Sequence, residues 1–339
     1  MTNVGIIGAS GFTGAELLRL CLGHPQLQVS FATGDSQAGT QVADLYPSLA
    51  AGYPEMVFQQ WSTELLDDVD VVFLGLPHGA SQSIVPDLLD RVGVVIDLGA
   101  DFRLSESSQY DQWYGAAHSC PELLDRFVYG LPELNREQLA GADCIAAPGC
   151  YPTAASLPMA PLVRAGLLDP ERIIVDAVSG VSGAGRPPKP NTTFCTVDSD
   201  VTAYGLLDHR HTPEMEMNIG APVLFTPHLV PMSRGILATC YARPADEGLR
   251  TADVLECLAE FYAQEPFVVV SDRSPSTKAT LGSNAAHLTA RVDERTGTVI
   301  GLCAIDNLGK GASGAAVQCA NLALGLDETA GLSMVGTYP

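Results

Sequence analysis

Short apolar runs alternate with longer amphipathic stretches through the first third of the chain, and that alternation points to a fold class. Residues 4–7 form an apolar run closed by glycine, and residues 15–22 then place their apolar side chains at helical spacing. Further apolar runs at 28–32, 69–74, 94–97 and 144–147 are separated by helix-like stretches, as a doubly wound parallel sheet requires. The pattern changes after residue 170. An apolar strand at 172–178 is followed by alternating segments at 224–229, 236–242, 288–292 and 299–305, which predict a mostly antiparallel sheet with one apolar face. Such a face often supports subunit pairing. The last helical run, 313–324, is expected to return to the first domain. The fold class is therefore α/β: a Rossmann-type doubly wound parallel sheet over 1–147 and 311–339, plus an α+β catalytic and oligomerisation domain over 148–310.

Size and composition agree with two domains. The chain has 339 residues, beyond the usual reach of a single core, with 46% hydrophobic residues, 33 Gly and 23 Pro. No apolar stretch approaches the length of a membrane span, and the first residues read directly as a strand rather than a basic, then apolar, leader. Nine scattered cysteines without a CxxC or Cys/His cluster fit a reducing cytoplasm and predict neither a disulfide framework nor a metal site. A formal charge of −21 opposes binding to a phosphate backbone, so nucleic acid is not an expected partner. Only three lysines occur, Lys189, Lys278 and Lys310, so basic groups inside glycine-rich segments stand out.

Chemistry enters first at the amino terminus. Gly8-Ala9-Ser10-Gly11-Phe12-Thr13-Gly14 lies between strand and helix, a GxxGxxG form of the dinucleotide turn, in which backbone approaches a pyrophosphate and the helix start faces it. Tight helix–strand packing is the competing reason for such glycines. Past the second strand, Asp35 suits a ribose 2′-hydroxyl and hence NAD, whereas Thr33 and Ser36 suit a 2′-phosphate and hence NADP. Leu76-Pro77-His78 ends another strand, where a loop can meet the nicotinamide half of the cofactor. Arg103, in Asp101-Phe102-Arg103, is either a grip for an anionic substrate or a structural ion pair with Asp101 or Asp97.

The carboxyl-terminal part supplies a nucleophile. Cys150, in Pro148-Gly149-Cys150-Tyr151-Pro152, stands at a predicted strand-to-helix turn with Pro152 suited to the first helical position. Free amides at a helix start lower a thiol pKa. The other eight cysteines read as packing residues. His209-Arg210-His211-Thr212-Pro213-Glu214 places His211 and Glu214 three apart, so that the carboxylate can orient the imidazole as a base; His209 is the rival. Ser179 to Lys189 combines small residues (Ser182, Gly183, Ala184) with Arg186 and Lys189, an anion-binding concavity or else a surface loop. Arg234 lines a site or caps a turn, and Asn307 is expected near the cofactor.

Taken together, GASGFTG, LPHG, DLGADFRL, PGCYPTA, SGVSGAGR, HRHTPE, HLVPMSRGI and DNLGKGASGAA resemble, in order and across nearly the whole chain, the N-acetyl-gamma-glutamyl-phosphate reductases, the arginine-pathway branch of the aspartate-semialdehyde dehydrogenase-like family. The resemblance implies that Cys150 is acylated by an acyl-phosphate substrate and that His211 or His209 is the acid/base. It also implies that NADP binds at Gly8–Gly14, with Gly183, Ala184 and Asn307 contributing, and that the product is a semialdehyde. A homo-oligomer, dimer or tetramer, goes with it. The chain departs from that family at Asp35, where arginine is frequent, and at Gly99, where serine is common. Alternatives are an aspartate-semialdehyde dehydrogenase, a carrier-bound aminoadipyl-phosphate reductase, or a non-catalytic dinucleotide sensor.

Overall fold

A computed structural model describes residues 1–339 and divides them into two compact units, Met1–Pro148 with Ala312–Leu332, and Gly149–Gly311 with Ser333–Pro339. The last seven residues, expected with the first domain, belong to the second. They are tied there by backbone bonds, Asn284 N to Ser333 O and Thr337 N to Leu281 O, both 2.8 Å.

In the first unit, strands β1 (Thr2–Ile7), β2 (Leu27–Ala32), β3 (Val71–Leu74), β4 (Val94–Asp97), β5 (Val128–Tyr129) and β6 (Cys144–Ala146) form one sheet in the order β2-β1-β3-β4-β6-β5. Every ladder in it is parallel. Strands β3 and β4 are buried at all four positions because each face is covered. Val71 and Phe73 pack with Leu17, Leu18 and Val317 on one side, while Val72 and Leu74 pack with Val85, Leu88 and Tyr110 on the other. The helix Gly314–Ala323 belongs to the first unit. Strand order reverses at β1/β3, and ligands of doubly wound sheets bind at the carboxyl edge of such a point. The glycine turn after β1 and the Leu76–His78 loop after β3 meet there.

The second unit holds a seven-stranded mixed sheet. Its strands are β7 (Leu168–Gly180), β8 (Thr202–Ala203), β9 (Val223–Val230), β10 (Ile236–Pro244), β11 (Val268–Val270), β12 (Ala286–Asp293) and β13 (Thr298–Ile305), in the order β11-β12-β13-β10-β7-β9-β8. Four neighbouring pairs are antiparallel, but β7/β9 and β11/β12 are parallel, which period-2 patterning does not distinguish. Burial alternates along β10, so one face is covered and the other open. The helix Cys150–Arg164 lies on the covered face, where Gly301 admits Pro158 and Met159. Across the open face, register aligns Arg291, Ile300, Tyr241, Ile174 and Leu224 in one row, with Ile174 and Leu224 exposed.

Candidate active site and cofactor turn

The glycines of the first turn divide by physical role. Gly8 has φ +83° and a Cβ there would stand 2.5 Å from Gly75 O; a Cβ on Gly14 would stand 2.4 Å from Ala9 Cα. Both are required by the fold. A Cβ on Gly11 meets nothing closer than Gly8 O at 3.7 Å, so the chain itself does not demand glycine there. Gly11 precedes the helix Phe12–Gly23, whose first turn carries no acid and no side-chain cap. Those free amides and that open approach fit a pyrophosphate. The Thr13 carbonyl accepts from Ser313 Oγ at 2.8 Å, fixing the helix start. Thr33 does not present its hydroxyl to the surface. It is buried, and its Oγ1 accepts the Gly8 N–H at 3.1 Å, which corrects its reading as a phosphate ligand. Asp35 and Ser36 are exposed, and Asp35 has φ +43°.

Beside this turn lies a buried acidic cluster. Asp101 accepts the amides of Gly79 (2.7 Å) and Ser81 (3.0 Å) and meets His78 Nδ1 at 2.5 Å. The His78 ring is held by Asp101 and lies 4.1 Å from the Tyr114 ring. Burial pushes the Asp101 carboxyl up, but the bonds from His78 and Gly79 outweigh it and hold Asp101 below the usual carboxylate range. Asp97 is driven the other way. Burial first, then the charge of Asp101, push it up to about 7, against the opposing effects of Ser81 Oγ, Gly99 N–H and Arg103. A side chain at 99 would stand 2.9 Å from Asp97 Oδ1, so glycine there gives the carboxylate its room. Arg103 directs Nε to Ala147 O and Nη2 to Leu98 O, both 2.8 Å, so its printed bonds tie together the carboxyl ends of β4 and β6. Those bonds are structural, and the Arg103 charge also opposes the rise of Asp97.

In the second unit Cys150 is the first residue of the helix Cys150–Arg164, following Gly149 in extended conformation. Pro152 falls at the third helical position rather than the first. No bond is lost, because that N–H is also among the unpaired ones. The helix has no acid in its first turn. Cys150 is half-buried, whereas burial pushes the thiols of Cys21 and Cys144 up to about 12 and raises those of Cys120, Cys240 and Cys257. Glu214 is fully buried and its Oε1 accepts the Gly149 N–H at 2.5 Å. The sequence reading placed this carboxylate behind His211. The bond found here ties the Thr212–Ile219 helix to the turn that carries the thiol.

Both histidine rings pack against Tyr151. His211 is the residue before the Thr212–Ile219 helix, and its ring lies 6.0 Å from the Tyr151 ring and 4.9 Å from that of His209. His209 is boxed edge-on by Tyr151, Tyr204 and Phe225, at 5.6, 5.5 and 5.1 Å. Its Nδ1 accepts the His211 N–H at 3.1 Å. Burial, reinforced by Arg210, lowers its pKa to about 4, despite Asp208, so it is neutral at physiological pH. Tyr204, which the sequence reading did not single out, donates to Tyr151 Oη at 3.0 Å. Its phenol is pushed up to about 12 by burial, with Cys150 adding to the rise, so it lies within the field of the thiol. Tyr204 follows an exposed strand of only two residues, Thr202–Ala203, too short for a periodicity that would have revealed it.

The remaining candidates shape loops. Gly180 and Ser182 amides are bonded to the 232–235 turn, and Asn307 bridges the two segments through Nδ2 to Ser182 Oγ (2.9 Å) and Oδ1 from Gly235 N–H (2.7 Å). Asn307 thus ties two loops together inside the second unit. Arg234 forks onto buried Asp306 at 3.0 Å, an aspartate that also accepts from Gly282, Leu308 and Gly309 amides. Gly183, Ala184 and Arg186 follow β7 in a short turn, with Lys189 exposed beyond it. The segment Gly309–Ser313 is a π-turn in which Lys310 is fully buried and a Cβ on Gly311 would stand 2.9 Å from Cys150 Cβ. Glycine at 311 therefore fits the thiol-bearing residue into place.

A glycine-turn dinucleotide sheet joined to a mixed sheet that carries a helix-start thiol defines a class of oxidoreductase. The family model "Semialdehyde dehydrogenase, NAD binding domain" matches residues 3–142, and "Semialdehyde dehydrogenase, dimerisation domain" matches residues 150–307. The chain belongs to the semialdehyde dehydrogenase family. Within it, curated relatives from Desulforudis audaxviator (48% identical) and Pseudomonas aeruginosa (45%), each aligned over 100% of both chains, bear the name N-acetyl-gamma-glutamyl-phosphate reductase. The fold is shared with aspartate semialdehyde dehydrogenase II of Vibrio cholerae, solved with ASA (TM-score 0.70, 18% identical, 96% and 98% of the two chains). It is shared as well with the Candida albicans enzyme solved with NADP (0.69, 16%, 95% and 98%). No helix of the chain is long and apolar enough to cross a membrane.

Proposed function

We propose that this enzyme reduces N-acetyl-L-glutamyl 5-phosphate to N-acetyl-L-glutamate 5-semialdehyde and phosphate through a thioester on Cys150. The observation that carries the reading is the pairing of a half-buried thiol at a helix start with a buried carboxylate clamped to the preceding amide. Full-length relatives named for this reaction support the substrate. The Cys150 thiolate attacks the acyl carbon and phosphate departs, its charge met by the Gly183 amide with Arg186 and Lys189, while Ser182, whose amide is bonded to Ser233 O, shapes the loop. A bound nicotinamide dinucleotide supplies the hydride that reduces the thioester; the resemblance implies NADPH. The amides at the start of Cys150–Arg164 stabilise the hemithioacetal oxyanion, and His211 donates a proton as the aldehyde leaves. Neutral His209 positions His211 through its backbone. The first-unit turn, with Ser10, Gly11, Phe12 and Thr13, holds the pyrophosphate, and Leu76, Pro77 and His78 border it.

The enzyme works as a homo-oligomer, a dimer or tetramer, through the open face of the second sheet, where Ile174 and Leu224 are exposed. Nine cysteines outside any disulfide suit a cytoplasmic protein. The test is the reverse assay: reduced coenzyme should form from N-acetylglutamate semialdehyde only when phosphate is present. Reaction with aspartate semialdehyde instead, or none with either aldehyde, would remove this substrate.

A further inference from the structure

The ribose end of the dinucleotide turn carries information that the glycine motif does not. Asp35 lies 21 positions after Gly14, at the carboxyl end of β2, where doubly wound folds place the acid that bonds an adenosine 2′-hydroxyl about 20 residues past the glycines. Its position relative to the turn is fixed. Ala9 N bonds Thr33 O at 2.8 Å, Gly8 N bonds Thr33 Oγ1, and Ser10 Oγ reaches Gly34 O at 3.3 Å. Asp35 itself is held at φ +43°, a conformation that aspartate tolerates better than most side chains. Its carboxylate is exposed.

A 2′-phosphate needs a cation, and the first unit has none to give. It contains five arginines, Arg19, Arg91, Arg103, Arg126 and Arg136, and no lysine. Arg19 forks onto Glu16, Arg91 pairs with Asp67, Arg126 with Asp143, and Arg136 with Glu328, while Arg103 binds the carbonyls of Ala147 and Leu98. Asp67 and Asp143 precede β3 and β6, so their pairs sit at the opposite edge of the sheet from residue 35. Thr33, the hydroxyl that the sequence offered to a phosphate, is buried against Gly8. Ser36 supplies no charge.

We infer that Asp35 makes the dinucleotide turn selective for a coenzyme with a free ribose diol, NAD(H), over its 2′-phosphorylated form. The inference rests on the proposed dinucleotide-dependent function and names which coenzyme serves it. The carboxylate accepts from the diol, whereas a phosphate at the same place meets an unneutralised like charge.

Calorimetric titration of the purified full-length enzyme with NADH and with NADPH, without substrate, tests this apart from turnover. NADH is expected to bind at least about tenfold tighter. Asp35→Asn keeps the shape and the backbone tolerance but removes the charge, and should narrow that ratio about tenfold, chiefly by tightening NADPH. Both nucleotides binding with NADPH equal or tighter, or a ratio unchanged in Asp35→Asn, overturns the selectivity while leaving the reductase reading intact. Binding of neither nucleotide overturns both.

Discussion

Oε1 of Glu214 accepts the backbone N–H of Gly149 at 2.5 Å, so a buried carboxylate from one helix holds the turn that delivers Cys150 to the start of another. Removing the acceptor leaves a buried N–H unpaired. Glu214→Ala should cost about 1–3 kcal/mol of stability, and Glu214→Gln should fold with a smaller loss. Both should slow iodoacetamide labelling of Cys150. A Glu214→Gln enzyme with unchanged thiol reactivity and unchanged kcat would show that the clamp does not serve the thiol.

The nine cysteines should separate on alkylation. Burial keeps Cys21 and Cys144 protonated to about pH 12, and Cys120, Cys240 and Cys257 are raised as well. Brief treatment at neutral pH, read by peptide mass, should therefore mark Cys150 before any of these five. Equal rates would place the thiol in an ordinary environment.

The two histidines should respond differently to substitution. His211→Asn should lower kcat about 10²–10⁴-fold, whereas His209→Phe should lose far less, since His209 is neutral and boxed by aromatic rings. Protonation of His209 carries a sign. Its folded pKa, about 4, lies below the ordinary 6.5, so its contribution to stability is whole above pH 6.5 and is lost as pH falls from 6.5 toward 4. Melting curves across that window should show less acid sensitivity in His209→Phe than in the parent.

Gly311→Ala introduces a methyl 2.9 Å from Cys150 Cβ. The backbone must shift, at about 1–3 kcal/mol, and kcat should fall more than about tenfold while dinucleotide affinity, measured by titration, stays within about twofold. Equal losses in both would mean general unfolding rather than a displaced thiol.

The parallel sheet was legible because buried parallel strands read as apolar runs, and Cys150 stood out as a candidate because it alone sits between glycine and a helix. Side-chain partners were not. Arg103 bonds the carbonyls of Leu98 and Ala147 because strand ends bring them under it, and no spacing in the sequence shows that. The bond from Gly149 N–H to Glu214 joins residues 65 positions apart, which no local spacing reveals. Asn307 bridges Ser182 and Gly235. Tyr204 and the π-turn around Lys310 had no periodic signature at all. Local spacing predicts which residues share a face; it says little about which loop comes to lie opposite.

The proposed covalent step can be tested directly. Enzyme freed of nicotinamide dinucleotide and mixed with N-acetylglutamyl phosphate should release about one phosphate per chain and gain one acyl group, located by peptide mass on Cys150. Cys150→Ala should do neither. Stoichiometric phosphate release without an adduct on Cys150, or full turnover by Cys150→Ala, would contradict the thioester route.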